Sequence, residues 1–266
     1  MSEETEAGLK KDAPLIISIS SGKGGVGKTS LAVNTAFALA ANGIKCLLAD
    51  GDLGLANIDV LLGLTVRTTV RDVMAGLADP LSVIVYPKSG LGVLPASSGV
   101  PDMVNLGPED QRQIGEVLKE IMSGFDCVII DTAAGIGPSV LWFNAFSEKN
   151  VVIFTPDPTS FTDAYALIKV LSREYGRQDF HLISNLVKDK AEGLQIYDGF
   201  SRVVKRFLSV NPHYIGHVPR DNDVIKAVRE QAPFYETAPG SKAGRAIENI
   251  ASVFASWTTS RGRDIE

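Results

Sequence analysis

From residue 15 to residue 257 the chain alternates between short apolar runs and longer segments whose apolar residues recur at helical spacing. Leu15 to Ser20 has the length and content of a strand. After a glycine-rich turn, Leu31, Thr35, Ala38 and Leu39 share one helical face until Asn42-Gly43 stops it. Lys45 to Asp50 is a second apolar run, which completes a strand–helix–strand unit. A short helix over Val70 to Ala75 and strands at Val83 to Tyr86 and Leu91 to Leu94 come next, and Pro95 to Gly99 is a loop of small residues. Pro108, with Glu109 and Asp110 beside it, opens a helix that turns Ile114, Val117, Leu118 and Ile121 inward, and Gly124 ends it. Asp126 to Asp131 is too uniformly apolar at Val128, Ile129 and Ile130 to be solvated on either face, as expected of a buried parallel strand. Strand and helix signals keep alternating at Val151 to Phe154, Phe161 to Tyr175, Phe180 to Ser184, Gly193 to Leu208, Tyr214 to Val218, Val224 to Glu230 and Ala243 to Trp257. Such alternation predicts an α/β fold, a mostly parallel central sheet flanked by helices on both faces. No linker or composition break interrupts it, so one domain is expected over residues 14–258, after a flexible lead-in at 1–13 and before a polar tail at 259–266.

Composition narrows the function classes without choosing among them. Of the 266 residues 45% are hydrophobic and 21% charged, ordinary for a soluble globular chain able to bury a sizeable core. A net charge of −5 argues against a surface coated in basic residues for nucleic acid or an anionic membrane. Cys46 and Cys127 both lie in apolar runs and read as small buried core residues of a reducing compartment, with no Cys/His cluster to suggest a metal. The acidic, polar start lacks the layout of a signal peptide, and no apolar run has the length of a membrane span, so a cytoplasmic protein is expected.

The chemistry concentrates in Ser21-Gly22-Lys23-Gly24-Gly25-Val26-Gly27-Lys28-Thr29-Ser30. Gly22 to Thr29 fits the phosphate-loop pattern G-x-x-x-x-G-K-[ST], set between a strand and a helix, the context that the pattern requires. A triphosphate is a compact anion, and glycines let the backbone curl so that successive N–H groups and the helix N-terminus point at it. Lys28 is placed to reach the β- and γ-phosphates and Thr29 to ligate Mg²⁺, which makes ATP with Mg²⁺ the expected cofactor pair. Asp50 and Asp52 close a parallel strand at its carboxyl end, facing the crevice where such sheets bind ligands. Asp131 ends four apolar residues in the Walker B layout, placed to hold the magnesium hydration shell. The segment Leu53 to Gly63 is too irregular for a strand; it is either a switch that changes with nucleotide state or an apolar loop packed on the sheet.

An ordinary phosphate loop needs no charge at Lys23. Lys23-Gly24-Gly25-Val26-Gly27-Lys28-Thr29 resembles the deviant phosphate loop of the MinD/ParA family. Asp50 to Asp59, Asp131 to Ile136, Thr155 to Ser160 and Thr162 to Lys169 resemble its flagellar branch, FlhG/FleN, which sets flagellar number and placement, and the likeness runs over most of residues 15–255. The resemblance implies an ATPase that is monomeric without ATP and forms a homodimer sandwiching two ATP molecules when loaded. It makes Lys23 a lysine that reaches the partner's nucleotide, Asp52 the residue that orients the attacking water, with Asp50 a second candidate, and Asp131 the support of the metal. Asn185 and Pro219-Arg220-Asp221 fall where family members recognise adenine; taken alone, Asn185 reads equally well as a strand-ending turn residue. Implied partners are a flagellar GTPase or a flagellar transcription activator, with no sequence-specific nucleic acid. The chain departs from the family at both ends. Met1 to Lys11 lacks the Gln/Leu/Arg-containing activator motif. The last helix alternates as a core helix should, ahead of only polar residues, so the amphipathic membrane helix common among MinD-like members is missing unless the last helix detaches to serve as the anchor. Competing readings are a partitioning or septum-site ATPase, for which Arg202, Lys205 and Arg206 would be the basic surface, an iron–sulfur carrier, and an anti-activator whose output is ATP binding rather than hydrolysis.

Overall fold

Eight apolar segments pair into one sheet: β1 (Leu15–Ser21), β2 (Cys46–Gly51), β3 (Val85–Lys88), β4 (Leu91–Leu94), β5 (Cys127–Ala134), β6 (Lys149–Phe154), β7 (Asp179–Val187) and β8 (Asn211–Pro219). Their spatial order is β3-β4-β2-β5-β1-β6-β7-β8, with β3 antiparallel to β4 and every other pairing parallel. The computed structural model describes residues 13–52, 57–95 and 108–261. Among these, the connections are α1 (Lys28–Ala41), α2 (Ile58–Leu62), α3 (Val70–Met74), α4 (Pro108–Met122), α5 (Pro138–Phe146), α6 (Pro158–Tyr175), α7 (Lys190–Leu208), α8 (Asn222–Arg229), α9 (Phe234–Thr237) and α10 (Lys242–Arg261).

Helices cover both faces because the central strands are apolar on both. In β5, Cys127 and Ile129 pack with α1 and α10, while Val128 and Ile130 pack with α4 and α5; all four are fully buried. Beyond β1 a third cluster joins Val152, Phe154, Phe180 and Leu182 to α6 and α7. Cys46 and Cys127 stand in register on β2 and β5, and contact between the two thiols, with burial, raises the pKa of Cys46 well above its ordinary value. The apolar face of α10, Ile247, Ile250, Ala251 and Phe254, lies in the core.

Strand β1 positions the site. It lies between β5 and β6, and its crossover through α1 to β2 skips over β5, so the sheet winds away in both directions from the end of β1. Parallel sheets bind ligands at such a point, beyond the carboxyl ends of the strands.

Several elements depart from the expected boundaries. The run expected as a strand from Val83 begins as a 3-10 turn, Pro80–Val83, capped by the Asp79 carboxylate, and the strand starts only at Val85. α5 has no counterpart in the sequence reading: its apolar residues split between two clusters, Val140 and Leu141 on one and Phe143 on the other, which blurs the helical period. Asn185 is not a turn residue after β7, for the strand runs on to Val187 and buries it. α10 continues to Arg261, through the start of the expected polar tail. Of the Leu53 to Gly63 segment, Ile58–Leu62 is helical and residues 53–56 lie outside the described residues, as do 96–99 of the small-residue loop.

Candidate functional site

The turn from β1 into α1 depends on two left-handed glycines, Gly25 at φ 76° and Gly27 at φ 87°, conformations that side chains with a Cβ rarely adopt. Gly27 sits at the N-cap of α1 with no side chain capping the helix, so its first N–H groups remain available to a ligand. Gly22 meets another demand. A Cβ there would lie 2.1 Å from the backbone of Asp163, so the loop can press against α6 only because that position is glycine.

Lys28, buried at the first position of α1, places Nζ 3.0 Å from Asp131 Oδ1. Burial raises the Asp131 pKa, against which Lys28 and the Thr29 hydroxyl beside it pull down. Asp131 Oδ2 and Ser30 Oγ are buried with no hydrogen-bond partner among the described residues. An orphaned carboxylate oxygen beside a threonine hydroxyl, over a glycine-lined turn, fits a hydrated divalent cation and a phosphate chain. The sequence placed Lys28, Thr29 and Asp131 together, and the structure brings them together.

Asp50 and Asp52 part company. Asp50, in register with Asp131, accepts N–H bonds from Asp52 at 3.0 Å on one oxygen and from Asn57 and Ile58 at 3.0 and 3.2 Å on the other. Burial lifts its pKa to about 6 against those bonds. It is therefore committed to holding the start of α2 against the sheet. Asp52 is half-buried, and Asn57 Nδ2 lies 3.3 Å from its Oδ2.

Lys23 does not face the cradle made by its own loop. Its ammonium lies 2.6 Å from Asp157 Oδ2 and 2.5 Å from Thr159 Oγ1, at the N-terminus of α6, and pulls the Asp157 carboxyl down to about 2. Asp157 also caps α6 through the Thr159 N–H. The Asp-Pro pair marks a helix start in sequence, but nothing local ties it to a lysine 134 residues away.

Beside the loop, a cavity of about 710 Å³ is lined by Gly27, Ser30, Asn185, Pro219, Asp221 and Phe234 among others, a size suited to a nucleoside. Asn185 Nδ2 donates to Val26 O at 2.6 Å, so the residue braces the loop as well as lining the cavity. Asp221 caps α8 through the Asp223 N–H and accepts from Ala243 N–H, tying α8 to α10 across the cavity. Sequence reasoning missed the polar layer behind the site. Thr132 Oγ1 donates to Ser20 Oγ, as does Asn144 Nδ2, while Ser18 joins Asn144 to Asn150, all of them buried. Asn144 was illegible because α5 itself was.

The profile of the ParA family, described as NUBPL iron-transfer P-loop NTPase, matches residues 13–255. The antiactivator FleN of Pseudomonas aeruginosa is 41% identical over 91% of this chain and 86% of its own length. The chain belongs to the ParA/MinD family of phosphate-loop NTPases. Within that family it groups with the flagellar branch, for the flagellum site-determining protein YlxH of Helicobacter pylori is also 33% identical over 90% of this chain and 81% of its own. Among solved structures, MinD of Aquifex aeolicus superposes with a TM-score of 0.71 at 26% identity, covering 91% of this chain and 97% of its own. MinD of Pyrococcus horikoshii, solved with Mg-ADP, superposes at 0.70 and 26% over 90% and 94%. ParA/MinD ATPases bind ATP, and Lys28, Thr29 and the glycine turn fit a phosphate chain.

Proposed function

We propose that the chain is an ATP-binding and ATP-hydrolysing dimerisation switch that regulates flagellar number or placement. The observation that carries this reading is the division of labour between the two lysines: Lys28 is buried inside the cradle on Asp131, whereas Lys23 is partly exposed, outside it, on Asp157 and Thr159. A lysine held at the rim of its own site is poised to serve a neighbouring one, as a charge supplied in trans serves other phosphoryl-transfer enzymes. The FleN and YlxH likenesses support the flagellar setting.

In this reading the backbone from Gly22 to Ser30 cradles the phosphates, Lys28 turns from Asp131 toward the β- and γ-phosphates, and Asn185, Pro219 and Asp221 frame the base. Thr29, Asp131 and Asp52 would hold Mg²⁺, whose charge offsets that gathering on the phosphate oxygens. Asp52 orients the attacking water, and Lys23 leaves Asp157 for the γ-phosphate of the second subunit. Hydrolysis is slow and resets the dimer to monomers; positioning and charge neutralisation carry the chemistry, and the second subunit must be present. Partners would be a flagellar GTPase or a flagellar transcription activator. The name of the FleN relative favours the second and keeps alive an output in which ATP binding matters more than turnover. A cytoplasmic location fits, and no described helix is long and apolar enough to cross a membrane. A surface anchor made from α10 would have to lift Phe254, fully buried, out of the core.

Size-exclusion chromatography with light scattering, on wild type and Asp52→Ala with and without ATP, tests the reading, with vesicles in a parallel run. Wild type should be monomeric without ATP, and Asp52→Ala should accumulate as an ATP-bound dimer with turnover lost. A subunit that stays single in both proteins at saturating ATP, or Lys23→Ala dimerising and turning over like wild type, would remove the switch and leave a phosphate-loop fold.

A further inference from the structure

A second cleft opens at the edge of the sheet, outside the phosphate loop. It has a volume of about 500 Å³ and lies along the outer strand β8 at Tyr214 to His217, between Lys190 at the start of α7 and Lys242, Arg245 and Asn249 on α10. Among the described residues three cations line it and no carboxylate does. In an acidic chain this is a local reversal of charge. Asp189 caps α7 by accepting from Glu192 N–H at 3.0 Å, and Asp221, which accepts from Asp223 and Ala243 N–H, offsets only part of the charge, through Lys242. Arg245 donates to the Gly240 carbonyl, which leaves the rest of its guanidinium fork facing solvent. The Tyr214 hydroxyl is buried with no hydrogen-bond partner among the described residues, packed where a Cβ on Gly193 would come within 3.0 Å of it.

We propose that this cleft is a second anion site, which takes a phosphate-bearing group. Two ammonium groups, a guanidinium fork and an amide outnumber what the two oxygens of a carboxylate can accept, whereas a phosphate offers three or more oxygens and up to two charges. The concave form and volume suit a small phosphorylated molecule or one lipid headgroup. Pro219, Lys242 and Arg245 also line the larger cavity beside the phosphate loop, so an anion here would sit against the wall of the candidate base site.

The test uses the full chain with the phosphate loop filled by ADP and Mg²⁺, and inorganic pyrophosphate as probe in titration calorimetry. Wild type should bind one further pyrophosphate. Lys190→Glu should weaken it roughly tenfold, as expected of the loss of a charge-assisted hydrogen bond. Lys190 does not line the larger cavity, so the ADP affinity of the variant should match that of wild type; thermal melts verify folding, with Lys190→Gln as the milder substitute. Vesicles rich in phosphatidylglycerol separate the sources. Flotation with them that Lys190→Glu abolishes assigns a lipid headgroup, and pyrophosphate binding without flotation assigns a soluble phosphate. Lys28→Ala keeps this site apart from the nucleotide reading: pyrophosphate binding without ADP that vanishes in Lys28→Ala but survives Lys190→Glu belongs to the phosphate loop and overturns the proposal. So does the absence of a second equivalent in wild type, or retention on duplex DNA or an acidic peptide with none on phosphate.

Discussion

Gly22 and Gly24 are two residues apart in the same loop, yet alanine should be costly at one and harmless at the other. At Gly22 the added Cβ would stand 2.1 Å from the carbonyl carbon and oxygen of Asp163 and 2.6 Å from the nitrogen of Ala164. Ordinary contact begins at 3.4 Å, so the loop and α6 must separate by about 1.3 Å. Both sides of the clash are backbone and no rotamer change relieves it, which places the cost at the upper end of overpacking penalties, about 3 kcal/mol or more. For a chain of this size that lowers the melting temperature by roughly 6–12 °C. At Gly24 no atom lies within 4 Å of the new Cβ and the backbone is not left-handed, so Gly24→Ala should change stability by less than about 0.5 kcal/mol. Circular-dichroism melts and urea titrations of the nucleotide-free proteins read both. Because α6 carries Asp157 and Thr159, the displaced helix in Gly22→Ala should also loosen the hold on Lys23. If Gly22→Ala melts within about 2 °C of wild type, or the two variants fall together, the close approach of loop and helix does not constrain this site.

Asp157→Asn keeps an oxygen to cap α6 but removes the charge that holds Lys23, and should lower the ATP concentration for half-maximal dimerisation, by no more than about fivefold since exposed ion pairs are weak; a higher requirement in light scattering would show that Asp157 assists dimerisation instead. His181 is buried with neither ring nitrogen hydrogen-bonded among the described residues, between His213 and Trp257, and burial, with Lys149 and His213 nearby, drops its pKa to about 4. Since its folded pKa is depressed, its contribution to stability is intact above the unfolded value near 6.5 and is lost as pH falls through 4, up to about 3 kcal/mol. His181→Phe should flatten that part of a pH series of urea titrations relative to wild type, and an unchanged slope between pH 6.5 and 4 would contradict the burial argument. Phe254→Ala empties a fully buried ring site on α10 and should cost about 3–5 kcal/mol; a loss under 1 kcal/mol by urea titration would mean that α10 is not anchored there.

What was legible in sequence was what neighbours in sequence decide. The phosphate loop announces itself because glycine, lysine and threonine must follow one another there, and β5 because both its faces are buried, so that its residues are apolar without alternation. Longer-range decisions left no such trace. The ends of β7 and β8 are set by partners across the sheet, which is why Asn185 read as well as a turn residue as a site residue, whereas it is a buried strand residue bonded to Val26 O. The four residues of α9 and five of α2 are too few to show a period and are held by tertiary contacts alone. The contact of Lys23 with Asp157 joins positions that only the folded sheet brings together.

Those late-decided pieces connect the two halves of the site. The Asp50 carboxylate grips the backbone at Asn57 and Ile58, which open α2. From α2, the Val60 carbonyl accepts from Gln231 Nε2 at 2.7 Å, and Gln231 sits in a left-handed conformation between α8 and α9. Next to it, Phe234 of α9 lines the base cavity that α8 closes from the other side through Val224 and Ile225. The strand end that carries Asp52 is thus joined by direct contacts to the wall of the cavity beside the phosphate loop, through two elements that packing rather than helix propensity holds in place. Short elements without intrinsic stability are the ones a bound ligand can shift at least cost. On the proposed switch, that makes α2 and α9 the elements expected to respond to nucleotide, rather than the long helices, whose apolar faces are locked into the core.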